Sequence, residues 1–194
     1  MNPRLERSLK FASVELDGNQ IGQLAVLGDW LASEAIRSGA LGPSEAGRIE
    51  DRHLADSVMY ASAWGTAPAQ CWDLGSGAGL PGLVLAIIWP RCRVTLIDRS
   101  ARRIDLARRG ARVVGLEVAT RIARIETLVG PIDAIVSRAA IPAASFRPHL
   151  VRLLAPGGLA VVSGSGIPVP GYQNIEMLEG VLDHSPRLLM MRNT

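Results

Sequence analysis

The chain has 194 residues, 48% of them hydrophobic and 20% charged, with 21 basic against 18 acidic side chains and a formal net charge of +3. That length suits one domain with a sizeable core, and that balance excludes an intrinsically disordered polypeptide. No apolar run reaches the ~18 residues of a membrane span; the longest, 80–89, is broken by Pro81 and Gly82. Met1-Asn2-Pro3-Arg4 leads into charged sequence without an apolar signal core, so a soluble, cytoplasmic protein is expected. Cys71 and Cys92 are too few for a disulfide framework and lack paired metal-ligand spacing. His53, His149 and His184 are scattered, so no metal site is expected. All but one of the basic residues are arginine, the exception being Lys10; this modest positive charge permits nucleic-acid binding without requiring it.

Residues 1–65 read as a helical extension. Ile21, Leu24, Leu27 and Leu31 recur at helical spacing, and Gly39, Gly42 and Pro43 break the pattern. Ser44 is the expected N-cap of a second helical stretch, with Glu45 in its first turn and Ile49, Leu54 and Val58 on one side. From residue 70, short apolar runs alternate with helical stretches. Strands are expected over 70–74, 93–98, 118–123, 132–137 and 159–163, and helices over 81–89, 101–114 and 145–154. Pro156-Gly157-Gly158 reads as a turn, and 176–192 as two last strands around Ser185-Pro186. This alternation predicts an α/β fold: a Rossmann-like, mostly parallel sheet with helices on both faces, formed by residues 66–194 and preceded by the helical extension, within one domain.

The strongest motif is Asp73-Leu74-Gly75-Ser76-Gly77-Ala78-Gly79-Leu80-Pro81-Gly82, placed after a strand and opening a helix. That is the setting of a glycine-rich cofactor loop, whose backbone turns tightly and offers amides to a ligand. Gly77, Gly79 and Gly82 alone also satisfy a dinucleotide fingerprint. Asp73 discriminates: a carboxylate there repels a diphosphate, whereas the ammonium and sulfonium of S-adenosylmethionine favour it. A helix-capping Asp at a plain tight turn is the structural alternative. Asp98 ends the second strand about twenty residues beyond the loop, where a carboxylate accepts hydrogen bonds from ribose hydroxyls; its alternative is a helix cap. Arg102, Arg109 and Arg112 share a stripe of the next helix, with Asp105 four residues before Arg109. They read either as a phosphate-contacting face or, preferably, as a solvated one, opposite the apolar stripe Ile104, Ala107, Ala111 and Val114.

The run Glu50-Asp51-Arg52-His53-Leu54-Ala55-Asp56-Ser57 followed by the Asp73–Gly82 loop resembles the bacterial 16S ribosomal RNA guanine-N7 methyltransferases, also called glucose-inhibited division protein B or the methyltransferase G type. Trp89-Pro90, Thr95-Leu96-Ile97-Asp98, Ala123-Arg124-Ile125-Glu126, Ser137-Arg138-Ala139 and Leu154-Ala155-Pro156-Gly157-Gly158 follow in that family's order, and 38–45 resembles its actinobacterial branch. The resemblance implies the class I methyltransferase version of the fold. It also implies S-adenosyl-L-methionine as cofactor, S-adenosyl-L-homocysteine as product, and a monomer acting on 16S rRNA or the small subunit away from membranes. Asp73, Gly75, Ser76, Gly77, Gly79 and Leu80 would contact the cofactor from the loop, Asp98 and Arg99 at the ribose, and Ile125 and Glu126 at the adenine. Arg138 would sit between cofactor and guanine, and Arg138 and Arg124 would position the acceptor. Guanine N7 carries a free lone pair and no proton, so alignment suffices and no catalytic triad is expected. The family's Leu-Lys-Gly after the fifth strand is here Val162-Ser163-Gly164, which leaves open another RNA or a small molecule as acceptor.

Overall fold

The computed structural model describes residues 1–138, 140–164, 168–175 and 187–194. The N-terminal helices are set by local capping. The Asn2 side chain accepts from the amides of Arg4 and Leu5 at the start of α1 (Pro3–Phe11), and a reciprocal Asp17–Gln20 capping box opens α2 (Gly18–Trp30). Leu24, Leu27, Trp30 and Leu31 are buried, but Ile21 is turned outward and 43% exposed. Ser44 caps nothing: Gly42 precedes a 3-10 turn, Pro43–Arg48, that lacks a side-chain cap. Pro43 already supplies the preset φ of a first helical position, leaving Ser44 inside the turn. A π-helical turn, Ile49–Leu54, then runs into α3 (Ala55–Met59), and Ile49, Leu54 and Val58 are all buried.

Next come β1 (Gln70–Leu74), α4 (Gly82–Ile88), β2 (Arg93–Asp98), α5 (Ala101–Val114), β3 (Ala119–Ile122), β4 (Ile132–Ser137), α6 (Ala143–Leu153), β5 (Leu154–Ser163), β6 (Gln173–Asn174) and β7 (Leu188–Arg192). They form one sheet in the order β3-β2-β1-β4-β5-β7-β6, parallel except for β7, which is antiparallel to both neighbours. The expected Pro156-Gly157-Gly158 turn lies instead within β5 as a register jump. The pairing passes from Ile132 with Leu154 to Ala134 with Leu159, and Gly157 takes φ +77°. Of the expected tail strands, β7 is the second; the Ser185-Pro186 turn lies outside the described residues.

Helices α2, α4 and α5 pack with Val94, Leu96 and Ala134 on one face of the sheet. Helix α6 packs on the other, with Ile97, Ile135 and Ala160. Residues whose side chains alternate along a strand face opposite ways, so β2 sends Leu96 to one core and Ile97 to the other. Cys71 is a buried free thiol in the first core.

Candidate active site

Strand order reverses between β1 and β4. In open α/β sheets, ligands bind beyond the carboxyl ends of the strands at such a point, because the connections there leave to opposite faces and open a crevice. A cavity of about 580 Å³ lies at that place, within the range of small-molecule sites.

One wall is the loop after β1. The amides of Gly75 and Ser76 both donate to the Ile97 carbonyl, at 2.7 and 3.1 Å, which folds the loop back over β2. Gly75 adopts φ +75°, and a Cβ there would collide with that of Ala140, so only glycine keeps the passage open. Gly75, Ser76, Gly77 and Leu80 line the cavity. Gly79 does not: it adopts φ +92° against Leu83 and Ala107 and shapes the loop from behind. Asp73 does not line it either. Its carboxylate is completely buried, and Oδ2 accepts the amide of Gly82 at 2.8 Å, capping α4 from the neighbouring strand. The other oxygen, Oδ1, has no hydrogen-bond partner among the described residues. Burial raises the Asp73 carboxyl to about 7, opposed by the Gly82 hydrogen bond and the nearby Arg138 charge.

Asp98, at the end of β2, lines the cavity. Its Oδ2 accepts the Gly77 amide at 3.1 Å and its Oδ1 the Ser100 amide at 2.9 Å, joining loop and strand. Ser100, not Asp98, caps α5. An ionised carboxylate offers about four acceptor sites, so Asp98 retains capacity for hydroxyl donors. Arg99, beside Asp98, and Arg124, Ile125 and Glu126, in the segment after β3, also line the cavity. The 3-10 turn carrying Ile125 and Glu126 is buttressed from α6: Arg152 donates to the Ile125 carbonyl at 2.9 Å and to that of Leu128. Nothing in the sequence pattern of α6 marked Arg152 for this role, because its partners are main-chain carbonyls.

Arg138 follows β4 directly. Ser137 Oγ donates to the Leu74 carbonyl at 2.7 Å, locking the ends of β1 and β4 together and so placing Arg138 opposite the glycine loop. Its guanidinium lies 3.3 Å from His53 Nδ1, while His53 Nε2 lies 2.9 Å from Glu45 Oε2. A guanidinium only donates, so Nδ1 is the bare nitrogen and Nε2 carries the proton given to Glu45. Burial and the Arg138 charge lower His53 to about 4, so the imidazole is neutral at physiological pH. Asp56 stands close by, its carboxyl raised to about 6 by burial against the pull of Arg4 and Arg138. His53 and Asp56 were absent from the sequence-derived site; the Glu50–Ser57 run was the signal that would have found them. Arg138 also lines a second cavity, so it forms the wall between two spaces.

The arginine stripe of α5 has structural partners. Arg102 donates to the Ser38 carbonyl at 2.7 Å, and Arg109 lies 3.3 Å from Asp105 and 3.8 Å from Glu34. These contacts fasten the N-terminal helices to α5. Among the described residues no His, Cys, Asp and Glu cluster suited to a metal ion occurs, and no helix is long and apolar enough to cross a membrane.

The family described as rRNA small subunit methyltransferase G matches residues 20–165. The chain belongs to this family. It is 36% identical over 189 residues to a ribosomal RNA small subunit methyltransferase G of Halorhodospira halophila, covering 92% of this chain and 86% of that one. It is 39% identical over 135 residues to the protein of that name from Mycobacterium leprae, covering 67% of this chain and 55% of that one. The chain therefore spans only a little over half the length of the mycobacterial relative. Among solved structures, a putative S-adenosyl-L-methionine-dependent methyltransferase from Methanococcus maripaludis superposes with a TM-score of 0.60 at 16% identity, covering 81% of this chain and 93% of that one. A ribosomal protein L11 methylase from Lactobacillus delbrueckii subsp. bulgaricus gives 0.57 at 18% identity, covering 74% and 80%. At such identities the likeness establishes the fold, which is that of class I methyltransferases.

Proposed function

We propose that the chain methylates N7 of a guanine in 16S rRNA of the small ribosomal subunit, in the cytoplasm and as a monomer, with S-adenosyl-L-methionine as donor. The observation that carries this reading, beyond family membership, is that Arg138 lines two cavities, one walled by the glycine loop and Asp98 and the other by several arginines.

The residues fit the cofactor. Gly75, Ser76 and Gly77 make a cradle that a Cβ at Gly75 would fill. Asp98 keeps acceptor sites for ribose hydroxyls, and Ile125 and Glu126 flank the place of the adenine. Asp73 Oδ1 and Ser76 Oγ are buried and without partners among the described residues. An α-ammonium is a donor for such acceptors, and Asp73 adds negative charge behind the loop. When bound, the cofactor supplies a methyl group made electrophilic by its sulfonium.

The protein's task is then alignment. Guanine N7 needs no general base, so the residues have only to hold its lone pair in line with the methyl carbon. Arg138, oriented by neutral His53, is placed to stack on the base or donate to it, and Arg124 at the opposite rim is placed to meet the acceptor's backbone. A second reading, a diverged enzyme acting on another RNA or a small molecule, is favoured by one observation: Ser163, on the wall of the second cavity, stands where a basic residue is otherwise expected. Transfer of labelled methyl to purified 30S subunits lacking the N7 mark separates them. Label mapped to one guanine N7, and lost with Arg138→Ala, supports the first reading; cofactor binding without transfer to the subunit moves the assignment to the second.

A further inference from the structure

The second cavity, also about 580 Å³, has a charge pattern that cofactor binding does not explain. Along the chain, Arg48 at the end of the 3-10 turn, Arg52 in the π-helical turn, Asp56 in α3 and Tyr60 just after it follow at four-residue intervals, and all four line it. Short π-helical turns are uncommon and often occur at functional sites. Arg187 enters from the edge of β7, held where the Gly164 amide donates to its carbonyl. Arg4 and Arg138 line it as well, so five guanidinium groups face one carboxylate, that of Asp56.

The pairing is unequal. Arg4 NH2 lies 3.6 Å from Asp56, and Arg52 donates to Glu45 at 3.2 Å. Arg48, Arg138 and Arg187 form no ion pair with a carboxylate among the described residues. Arg48 and Arg187 are exposed at the mouth, while Arg138 is inside. His53 is neutral and commits its proton to Glu45, so it neither adds to nor cancels this charge. Guanidinium groups without a salt-bridged carboxylate among the described residues, converging on one concave space, suit a phosphate, whose oxygens accept their planar forks in pairs.

We propose that this cavity is a phosphodiester site, in which Arg48 and Arg187 hold a backbone phosphate of the acceptor RNA. This rests on the reading of the protein as an RNA methyltransferase. The shared wall supplies the connection: a nucleotide whose base meets the cofactor across Arg138 carries its own phosphate into the adjoining space.

The test compares the wild type with the Arg48→Gln/Arg187→Gln double variant and, as a control, Arg112→Gln on α5, a residue that lines neither cavity. Binding of a single-stranded, guanine-containing RNA is measured across salt concentrations, alongside S-adenosylmethionine affinity, melting temperature and binding of GMP. Each phosphate neutralised in a single strand contributes about 0.7 to the slope of log K against log salt, so the double variant, which releases one phosphate, should lose about 0.7. Its RNA affinity should fall by about tenfold or more, with cofactor affinity and melting temperature held and the control unchanged. A reduced slope in a protein that fails to methylate 30S subunits keeps this site and overturns only the ribosomal reading. An unchanged slope in a protein that methylates them overturns this site and keeps that reading. Binding of GMP but not RNA, or no RNA binding by the wild type, overturns the site.

Discussion

At Asp73, the capping of α4 and the proposed role towards the cofactor fall on one carboxylate, and a pair of substitutions separates them. Asp73→Ala leaves the buried Gly82 amide without its acceptor and should lower stability by about 1–3 kcal/mol in chemical denaturation. Asp73→Asn retains an oxygen for that amide, so it should fold as well as the wild type while losing cofactor affinity in calorimetry, because the charge is gone. Undiminished affinity in the Asn variant would show that Asp73 only caps. At Arg138 the partner is His53, which orients the guanidinium without competing for its charge. Arg138→Lys keeps the charge but not the planar fork. Methyl transfer should fall by about 10- to 100-fold, the equivalent of one charge-assisted hydrogen bond, with cofactor affinity nearly unchanged. Equal transfer by the Lys variant would assign Arg138 a purely electrostatic role.

The elements contribute position rather than chemistry. The loop after β1 is held by Ile97 and Asp98 of β2, and the turn after β3 by Arg152 of α6, so the two walls of the cavity hang on different elements. Arg152→Ala removes the buttress of 125–128. It should raise the cofactor dissociation constant several-fold while leaving the loop wall intact; unchanged affinity in fluorescence titration would make the turn self-supporting. Most elements were legible because periodicity reports them directly: β1, β2, β4 and α5 fall on the expected residues. The misplacements have local causes. Ile21 fits the helical stripe by spacing, but the buried face of α2 runs through Gln20, Leu24, Leu27 and Trp30 and turns Ile21 outward. Pro156-Gly157-Gly158 has turn chemistry, yet strand pairing on either side absorbs it as an irregularity.

In the whole molecule, buried ionisable groups pull stability in opposite directions with pH. His53 is lowered from 6.5 to about 4, so the stability of keeping it neutral is complete above 6.5 and is lost as pH falls towards 4. Asp56 and Asp73 are raised from 3.8 to about 6 and about 7, so their contribution is complete below 3.8 and is lost as pH rises through those values. The melting temperature of Asp73→Asn relative to wild type should therefore rise between pH 5 and pH 8; a constant difference would mean that Asp73 titrates normally.

The residues alone determined the alternation of strand and helix, the glycine loop and the acidic residue closing the second strand. Each is written in short-range spacing, and hydrophobic period and turn chemistry act over a few residues. Only the tertiary structure decided that Asp73 caps α4, that Arg152 props the turn at Ile125–Thr127, and that Arg48, His53, Arg138 and Arg187 meet around one wall. Those partners are separated by up to 139 positions, from Arg48 to Arg187, and several bonds end on main-chain carbonyls that have no residue identity. Sheet order brings such groups together, and strand pairing across the β1–β4 reversal leaves no trace in local sequence.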